Sequence, residues 1–179
     1  MKPFFQFTNR LKLITIALIG ITGIIEIPLV VGLYNQNTAG EIFGLVVSIV
    51  ILQPLAVAVG LGLGIHPVQV MLIMVSFGIA VIFVVFGICD MFAERSEWLN
   101  GHLKNIETIT QKSKMFRKYG MYAFIPFIWV PGVGLYGCIM IAWLFKWRSV
   151  RAGAIILSGW ILAALIVLLT SIGIFQIIR

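Results

Sequence analysis

The stretch Pro131-Gly-Val-Gly-Leu-Tyr-Gly137 interrupts an apolar segment that extends from residue 121 to residue 145. Proline removes a backbone N–H donor and clashes with the preceding helical turn, whereas glycine permits the backbone angles of a tight reversal. Two half-helices of about 10 residues would each rise ~15 Å, which is half of a hydrocarbon core ~30 Å thick. The stretch therefore predicts a helical hairpin that enters the membrane and leaves by the same face. A kinked helix that crosses completely is the alternative.

The composition of the whole chain is that of a protein surrounded by lipid. Of its 179 residues 61% are hydrophobic, 13 are basic and 6 are acidic. A soluble domain of this length could not cover its surface with 11% charged residues, so a soluble enzyme, a disordered tail and a disulfide scaffold are excluded. The net charge of +7 lies in short links between apolar runs, which indicates topogenic charge and not a nucleic-acid surface.

Five apolar segments are about 20 residues long or longer, enough to cross a hydrocarbon core. They are residues 13–33, 42–63, 65–89, 121–145 and 152–178. Lys and Arg lie before the first segment, between the third and fourth, and between the fourth and fifth. The links on either side of the second segment contain neither. This distribution predicts which links stay in the cytoplasm.

Five simple crossings do not fit these charges. With basic links in the cytoplasm, segment 121–145 begins and ends on the same side of the membrane. The first three segments also run between two cytoplasmic regions, so one of them must turn back. Segment 42–63 is the best candidate, because Gln53-Pro54 interrupts it near the middle. Segment 13–33, which contains Glu26-Ile-Pro28, stays open as the other placement.

These observations predict an all-α integral membrane fold, with residues 1–179 in a single membrane domain. Transmembrane helices cover residues 13–33, 65–89 and 152–178, and re-entrant helical hairpins at 42–63 and 121–145 enter from opposite faces. A hairpin followed by a span thus occurs twice in opposite orientation. Inverted repeats with broken helices that meet at the midplane are typical of secondary transporters.

Residues 90–119 form a polar connector between the two halves. Apolar residues recur there at helical spacing, at Leu99, Leu103, Ile106 and Ile109. The pattern predicts an amphipathic helix on the cytoplasmic membrane interface, and a short cytosolic helix packed on the bundle is the alternative. The expected location is the plasma membrane, with the N-terminus and this connector in the cytoplasm.

The two interruptions predict a substrate site. Half-helices that begin after Pro54 and after Pro131 would start near the midplane, where their unpaired N–H groups and positive dipole ends attract an anion such as a phosphate or carboxylate. Glycines at the second interruption would let a ligand approach the backbone, and Gln53 and Tyr136 offer amide and hydroxyl partners. The predicted site residues are Glu26, Gln53, Pro54, Pro131, Gly132, Gly134 and Tyr136. The alternative is that the glycines serve only to turn the chain.

Glu26 is the acidic residue that lies well inside an apolar run. At the centre of a lipid-facing helix its charge would cost ~3 kcal/mol on insertion scales, so it should face the protein interior or be protonated. One interpretation is a carboxylate for proton coupling or cation binding. The other is a protonated side chain bonded to a backbone carbonyl that Pro28 leaves free.

Several motifs resemble the small multidrug export protein family. They are Lys118-Tyr-Gly120, Ile125-Pro126, the run from Pro131 to Gly137, and Ile141-Ala-Trp-Leu144 before a basic turn. Upstream, Pro54 to Gly60 and the span through Gly78 are similar to the first hairpin and the following helix of that family. The family in turn is distantly similar to the DedA/VTT membrane proteins. That resemblance implies two opposed re-entrant hairpins and, by analogy with some DedA members, carriage of lipid phosphates.

Together these features favour a secondary transporter or lipid-headgroup carrier with a midplane site between the hairpins. Its substrate would be a small amphipathic molecule or a lipid phosphate, with membrane lipids around it and with proton coupling and a homodimer as options. The alternative is a non-transporting membrane scaffold whose basic connector binds anionic lipid or a partner protein. We expect no enzyme activity, cofactor, metal or nucleic-acid partner, because no catalytic or metal-ligating cluster falls at a common depth.

Overall fold

The computed structural model describes residues 2–95, 134–144 and 150–178, and within these ranges every regular element is helical. Seven α-helices are joined in part by a π-helical and a 3₁₀ turn. In chain order they are α1 Lys2–Ile21, the π turn Thr22–Glu26, α2 Ile27–Tyr34, α3 Ala39–Leu52, the 3₁₀ turn Gln53–Leu55, α4 Ala56–Gly62, α5 Pro67–Arg95, α6 Gly134–Leu144 and α7 Val150–Ile178. The prediction of an all-α fold is thereby confirmed for the described residues.

Four of the described segments are long and apolar enough to cross a membrane. They are Leu11–Tyr34, Ala39–Gly62, Pro67–Met91 and Arg151–Gly173, with 24, 24, 25 and 23 residues. Large apolar side chains cover the outside of the bundle, as in Val30, Phe43 and Leu169, each about two-thirds exposed. An outer surface of this kind suits lipid and not water. The molecule is a multi-pass membrane protein.

The helix formed by α1 and α2 is one continuous rod that packs against α5. A Cβ placed on Gly20 would lie 3.1 Å from Cγ2 of Val84, and Gly23, further along the rod, packs against Ala80. The contacts on α5 thus move steadily toward its N-terminus as the rod advances, so the two helices run antiparallel. Residues 13–33 do not turn back, and the first reversal of the chain inside the bundle lies elsewhere.

Pro28 is accommodated in this rod without a break. The π turn pairs the N–H of Ile27 with the carbonyl of Thr22, and the next bond in that register would need the N–H that Pro28 lacks. The carbonyl left without a partner is that of Gly23. The hydroxyl of Ser76 on α5 donates a hydrogen bond to it at 2.9 Å. The proline therefore ties the rod to α5.

Helices α3 and α4 lie side by side, because the chain reverses between them. A Cβ placed on Gly44 would lie 3.7 Å from Cδ1 of Leu63, and one on Gly60 would lie 3.0 Å from Cδ1 of Leu45. In a straight helix, positions 44 and 63 would be about 28 Å apart. The segment Ala39–Gly62 is therefore long enough to cross a membrane but is folded back on itself at Gln53–Leu55.

Helices α5 and α7 form the centre of the bundle. Trp160 of α7 is fully buried, and it approaches α5 at Gly78, where an added Cβ would lie 3.2 Å from its indole nitrogen. The absence of a side chain at Gly78 is what lets the large indole ring pack against the backbone. Around this crossing, α5 also contacts the α1–α2 rod, α4 and α6. The core is apolar, as expected for helices that associate in a membrane.

One described helix extends beyond the apolar segment from which it was predicted. α5 continues to Arg95, six residues beyond the predicted end of the span at residue 89, because helical hydrogen bonding does not stop where the apolar residues do. Beyond residue 95, the predicted connector over 90–119 lies outside the described residues. The same is true of the first half of the predicted hairpin, up to residue 133.

Candidate functional site

The fold-back at Gln53 meets the beginning of α6. The backbone N–H of Leu135 donates a hydrogen bond to the side-chain oxygen Oε1 of Gln53 at 3.2 Å. Both residues are buried, with 1% and 0% of their surface exposed. This bond joins positions 82 residues apart in the chain. The two places where the sequence predicts an interruption of an apolar segment are thus brought together.

The bond has a clear physical reason. The first N–H groups of any α-helix have no partner within the helix, and in an apolar core water cannot supply one. The amide oxygen of Gln53 takes the role that an N-cap residue usually plays for its own helix. We call the contact between Gln53 and the first turn of α6 the inter-hairpin junction, after the two hairpins that the sequence predicts at residues 42–63 and 121–145. It caps α6 from a distant part of the chain.

The contacts that α4 and α6 make with α5 show where the junction lies along the length of the bundle. A Cβ placed on Gly60 in α4 would lie 2.9 Å from Val70, and the indole N–H of Trp143 in α6 donates to Asp90 at 2.8 Å. Val70 and Asp90 are 20 residues apart, which is about 30 Å along a helix. Because α4 and α6 both begin at the junction, they diverge from it toward opposite ends of α5.

Two buried N–H donors at the centre of the bundle have no hydrogen-bond partner among the described residues. They are Nε2 of Gln53 and Nε1 of Trp160. The 3₁₀ turn that carries Gln53 packs against α7, which carries Trp160. A buried polar group without a partner costs about 1–3 kcal/mol. The interior therefore offers hydrogen-bond donors that the described protein groups do not use.

The electrostatic potential at the junction is positive. The N-terminus of α6 carries the positive end of a helix dipole, equivalent to about half an elementary charge. Among the described side chains, the buried polar residues are Gln53 and Gln69, and none of the buried ones is acidic or basic. The junction is therefore a neutral environment with positive potential, which favours a ligand that accepts hydrogen bonds.

Gln53 is also strained in its backbone. Its φ of 57° and ψ of −126° lie in a region that glycine adopts readily and that side chains disfavour. Such conformations cost about 1–3 kcal/mol and persist where the surrounding structure enforces them, often at ligand sites. A glycine would have turned the chain without this cost, but it could not have capped α6.

The structure brings four of the predicted site residues together. Gln53 and Pro54 are buried in the 3₁₀ turn, Gly134 is buried at the start of α6, and Tyr136 is half-buried in its first turn. Gln53 is the one whose side chain makes the junction. Pro131 and Gly132 lie outside the described residues.

Glu26 lies apart from this group, on the exposed face of the α1–α2 rod. The expectation that it faces the protein interior is wrong. Gly23 and Pro28 occupy the buried side of the rod, which leaves Glu26 on the outside. The other expectation, a protonated Glu26, stays a prediction.

Sequence analysis missed two contributors to the centre of the bundle. One is Trp160, whose indole N–H has no hydrogen-bond partner in the described part of the chain. A tryptophan deep in an apolar span, opposite a glycine in another span, was the available signal. The other is the link between Trp143 and Asp90, which fixes the far end of α6. The described residues contain no group of three His, Cys, Asp or Glu side chains that could hold a metal ion.

Comparison with known families gives one match. A family model described as "Putative small multi-drug export protein" matches residues 53–166. The matched region begins at Gln53 and includes α4, α5, α6 and the first half of α7. It covers more than half of the 179 residues and contains both sides of the inter-hairpin junction. No curated protein and no solved structure matches the chain.

Proposed function

The chain belongs to the small multi-drug export protein family, and we propose on this basis that it is a secondary transporter whose substrate site lies between two re-entrant helical hairpins. The family description supports export as the activity. The inter-hairpin junction is the single observation that carries the location of the site. It is where two helix beginnings meet in an apolar core with unused hydrogen-bond donors.

In this proposal α3 and α4 form the first re-entrant hairpin, which enters the membrane from the outside. The proximity of Gly44 and Leu63 supports it, because both lie near the open end of the fold-back. α6 is the returning half of a second hairpin, which enters from the cytoplasm. The proline and glycines between residues 131 and 137 support this second reversal. The positions of Lys and Arg support a cytoplasmic N-terminus and connector in the plasma membrane.

Transport would proceed by alternating exposure of the junction. Each hairpin supplies one side of the bond between Gln53 and Leu135, and α4 and α6 lead from it toward opposite faces of the membrane. Rocking of one repeat against the other separates the two helix beginnings and opens the space between them to one face at a time. The bond closes the site in the state described here.

The proposal includes no chemical step and no cofactor. Proton coupling through Glu26 stays a prediction. Its exposed position on the α1–α2 rod separates it from Gln53, so a proton there would act on the position of the rod and not directly on the substrate. The scaffold alternative depends on the connector, most of which lies outside the described residues.

Flux measurements in reconstituted vesicles test the proposal. Vesicles loaded with a panel of small amphipathic dyes, both cationic and anionic, are compared with protein-free vesicles. We expect the wild-type protein to release at least one dye faster, and Gln53→Leu to slow that release by at least tenfold, because it removes both the cap on α6 and the free donor. Gln69→Leu is the matched control at the other buried glutamine, and its flux per folded molecule should be unchanged. Release no faster than from empty vesicles for every dye would contradict transport.

A further inference from the structure

The chemistry of the inter-hairpin junction indicates a class of ligand. The oxygen of the Gln53 amide accepts a hydrogen bond from Leu135, whereas its Nε2 donor has no partner among the residues that the structure describes. The side chain is 1% exposed, so water outside the protein does not reach it. An amide nitrogen can only donate hydrogen bonds. The group that completes this site must therefore be an acceptor.

The start of α6 provides a second, independent reason to expect a ligand that accepts hydrogen bonds. α6 has 11 residues, and its positive dipole end lies at the Gln53 amide. An oxyanion there would be favoured by the dipole and by the Nε2 donor together. A cation would meet the positive end of the helix and no buried carboxylate among the described side chains. The junction thus discriminates by charge as well as by hydrogen bonding.

The number of charges on the ligand is also constrained. No described Lys or Arg side chain is buried in the core. The charge of the ligand would therefore be balanced only by the amide donor of Gln53 and the half-charge of the helix dipole. A ligand that extends toward α7 would also meet the indole N–H of Trp160. The cost of placing ions in a low-dielectric interior rises steeply with charge. A single delocalised negative charge fits this environment, and a doubly charged group does not.

We propose that the junction binds a singly charged oxyanion, such as a carboxylate, a sulfonate or a phosphodiester, through Nε2 of Gln53 at the N-terminus of α6. The proposal rests on the transporter function proposed above and names its substrate class. The oxyanion comes either from a water-soluble molecule or from a lipid headgroup, and the two sources share the chemistry. The indole N–H of Trp160 is the candidate for a second donor, because it has no partner among the described residues and its helix packs against the 3₁₀ turn of Gln53.

Vesicle assays with matched probes test this assignment and distinguish the two sources. Naphthalenesulfonate is a singly charged free anion, and naphthalenedisulfonate has the same rings with two charges. Fluorescent phosphatidylglycerol represents a singly charged lipid headgroup, with fluorescent phosphatidylcholine as its zwitterionic control. Ethidium represents cations. We expect movement of the sulfonate, of phosphatidylglycerol, or of both, at a rate at least tenfold above that of the corresponding control probe.

The decisive variant is Gln53→Glu. At a pH high enough to ionise it, the introduced carboxyl group retains an oxygen that can accept from Leu135, so α6 stays capped, but it has no donor and repels an anion. At lower pH a buried carboxyl group is protonated and keeps one O–H donor. We therefore expect at least a tenfold loss of anion movement at the higher pH. Trp160→Phe keeps most of the ring and removes only the indole donor, and it should lower the same rate several-fold. Gln69→Glu, the same change at the buried glutamine in the first turn of α5, should leave the rate per folded molecule unchanged.

Each outcome has a defined meaning. Movement of ethidium without movement of either singly charged anion would overturn the oxyanion assignment and leave transport standing. An unchanged anion rate in Gln53→Glu would overturn it as well. If no probe moves faster than in protein-free vesicles, the proposed transport itself fails. Anion movement that is lost in Gln53→Glu and weakened in Trp160→Phe would support the assignment.

Discussion

The two ends of α4 both reverse the chain, and both carry a buried glutamine, but they are built differently. At the link between α4 and α5, which we call the outer link, Gly64 takes the positive φ of 83°. There Oε1 of Gln69 accepts from the side chain of Asn37 and the backbone of His66 at 3.0 and 3.3 Å. At the inner turn, Gln53 itself takes the positive φ. Within residues 2–95, 134–144 and 150–178, its oxygen has one partner, 82 residues away, and its nitrogen has none.

This difference in construction suits a stabilising role for the outer link and the proposed binding role for the inner turn. The outer link uses glycine where the backbone needs it, and its glutamine is satisfied by neighbours in sequence or in the adjacent loop. The inner turn retains backbone strain and a buried donor that has no partner in the described ranges. Costs of this kind persist where something other than stability is selected. The comparison therefore favours a structural role for Gln69 and supports the binding role that we propose for Gln53.

The largest effect we expect concerns the side of the membrane on which the ends of the α3–α4 fold-back lie. Gly40 and Gly62 are exposed, and an added Cβ at either position would contact nothing within 4 Å, so single cysteines fit there in a background without Cys89 and Cys138. A membrane-impermeant maleimide should label Gly40→Cys and Gly62→Cys from the same face. Labelling from opposite faces would show a complete crossing and would remove the distinction between inner turn and outer link.

The location of this reversal was predictable from sequence, and its partner was not. A proline near the middle of an apolar run, in a segment whose flanking links lack basic residues, predicted where the chain turns. That Gln53 caps α6 depends on how two segments distant in sequence approach each other, and no local pattern encodes the distance between them. The contact of Trp143 with Asp90 also joins segments that are distant in sequence, so no local pattern predicted it.

The orientation of Glu26 was beyond the sequence for a different physical reason. In a soluble protein the apolar face of a helix identifies its buried side. In a membrane both the core and the surroundings are apolar, so the hydrophobic pattern of segment 13–33 does not show which side is buried. The small residue Gly23, which packs against α5, is the better indicator of that side, and it places Glu26 outside.

The second prediction contrasts the two glutamines directly in stability. Gln69→Leu leaves two N–H groups without their acceptor, one of them on the backbone, and should lower the free energy of unfolding by about 2 kcal/mol. Gln53→Leu leaves the N–H of Leu135 unpaired but also removes an unpaired donor, so its net cost should be smaller, about 1 kcal/mol or less. Denaturation of the purified proteins in detergent measures both. A larger loss for Gln53→Leu would reverse the assignment of roles.

The third prediction uses two glycines of α4 as a matched pair. A Cβ on Gly60 would lie 2.9 Å from Val70 and 3.0 Å from Leu45, whereas one on Gly62 would contact nothing within 4 Å. Gly60→Ala should therefore lower the free energy of unfolding by about 1–2 kcal/mol through overpacking, and Gly62→Ala should change it by less than about 0.5 kcal/mol. Equal effects in the same denaturation assay would mean that α4 does not lie between α3 and α5.

The smallest effect concerns an ordinary helix cap, which sharpens the comparison with the unusual cap at Gln53. At the start of α3, the hydroxyl of Thr38 accepts from the N–H of Glu41 at 3.3 Å, and the Glu41 carboxylate accepts from the N–H of Thr38 at 2.9 Å. Thr38→Ala removes one of these bonds at an exposed position and should lower the free energy of unfolding by about 1 kcal/mol. Flux per folded molecule should not change, because this cap stabilises only its own helix. The cap on α6 joins the two elements that separate in the transport cycle we propose, so substitutions at Gln53 should alter flux more than stability. If Thr38→Ala slowed flux as strongly as Gln53→Leu, the loss would reflect a general loosening of the α3–α4 fold-back and not the chemistry of the junction.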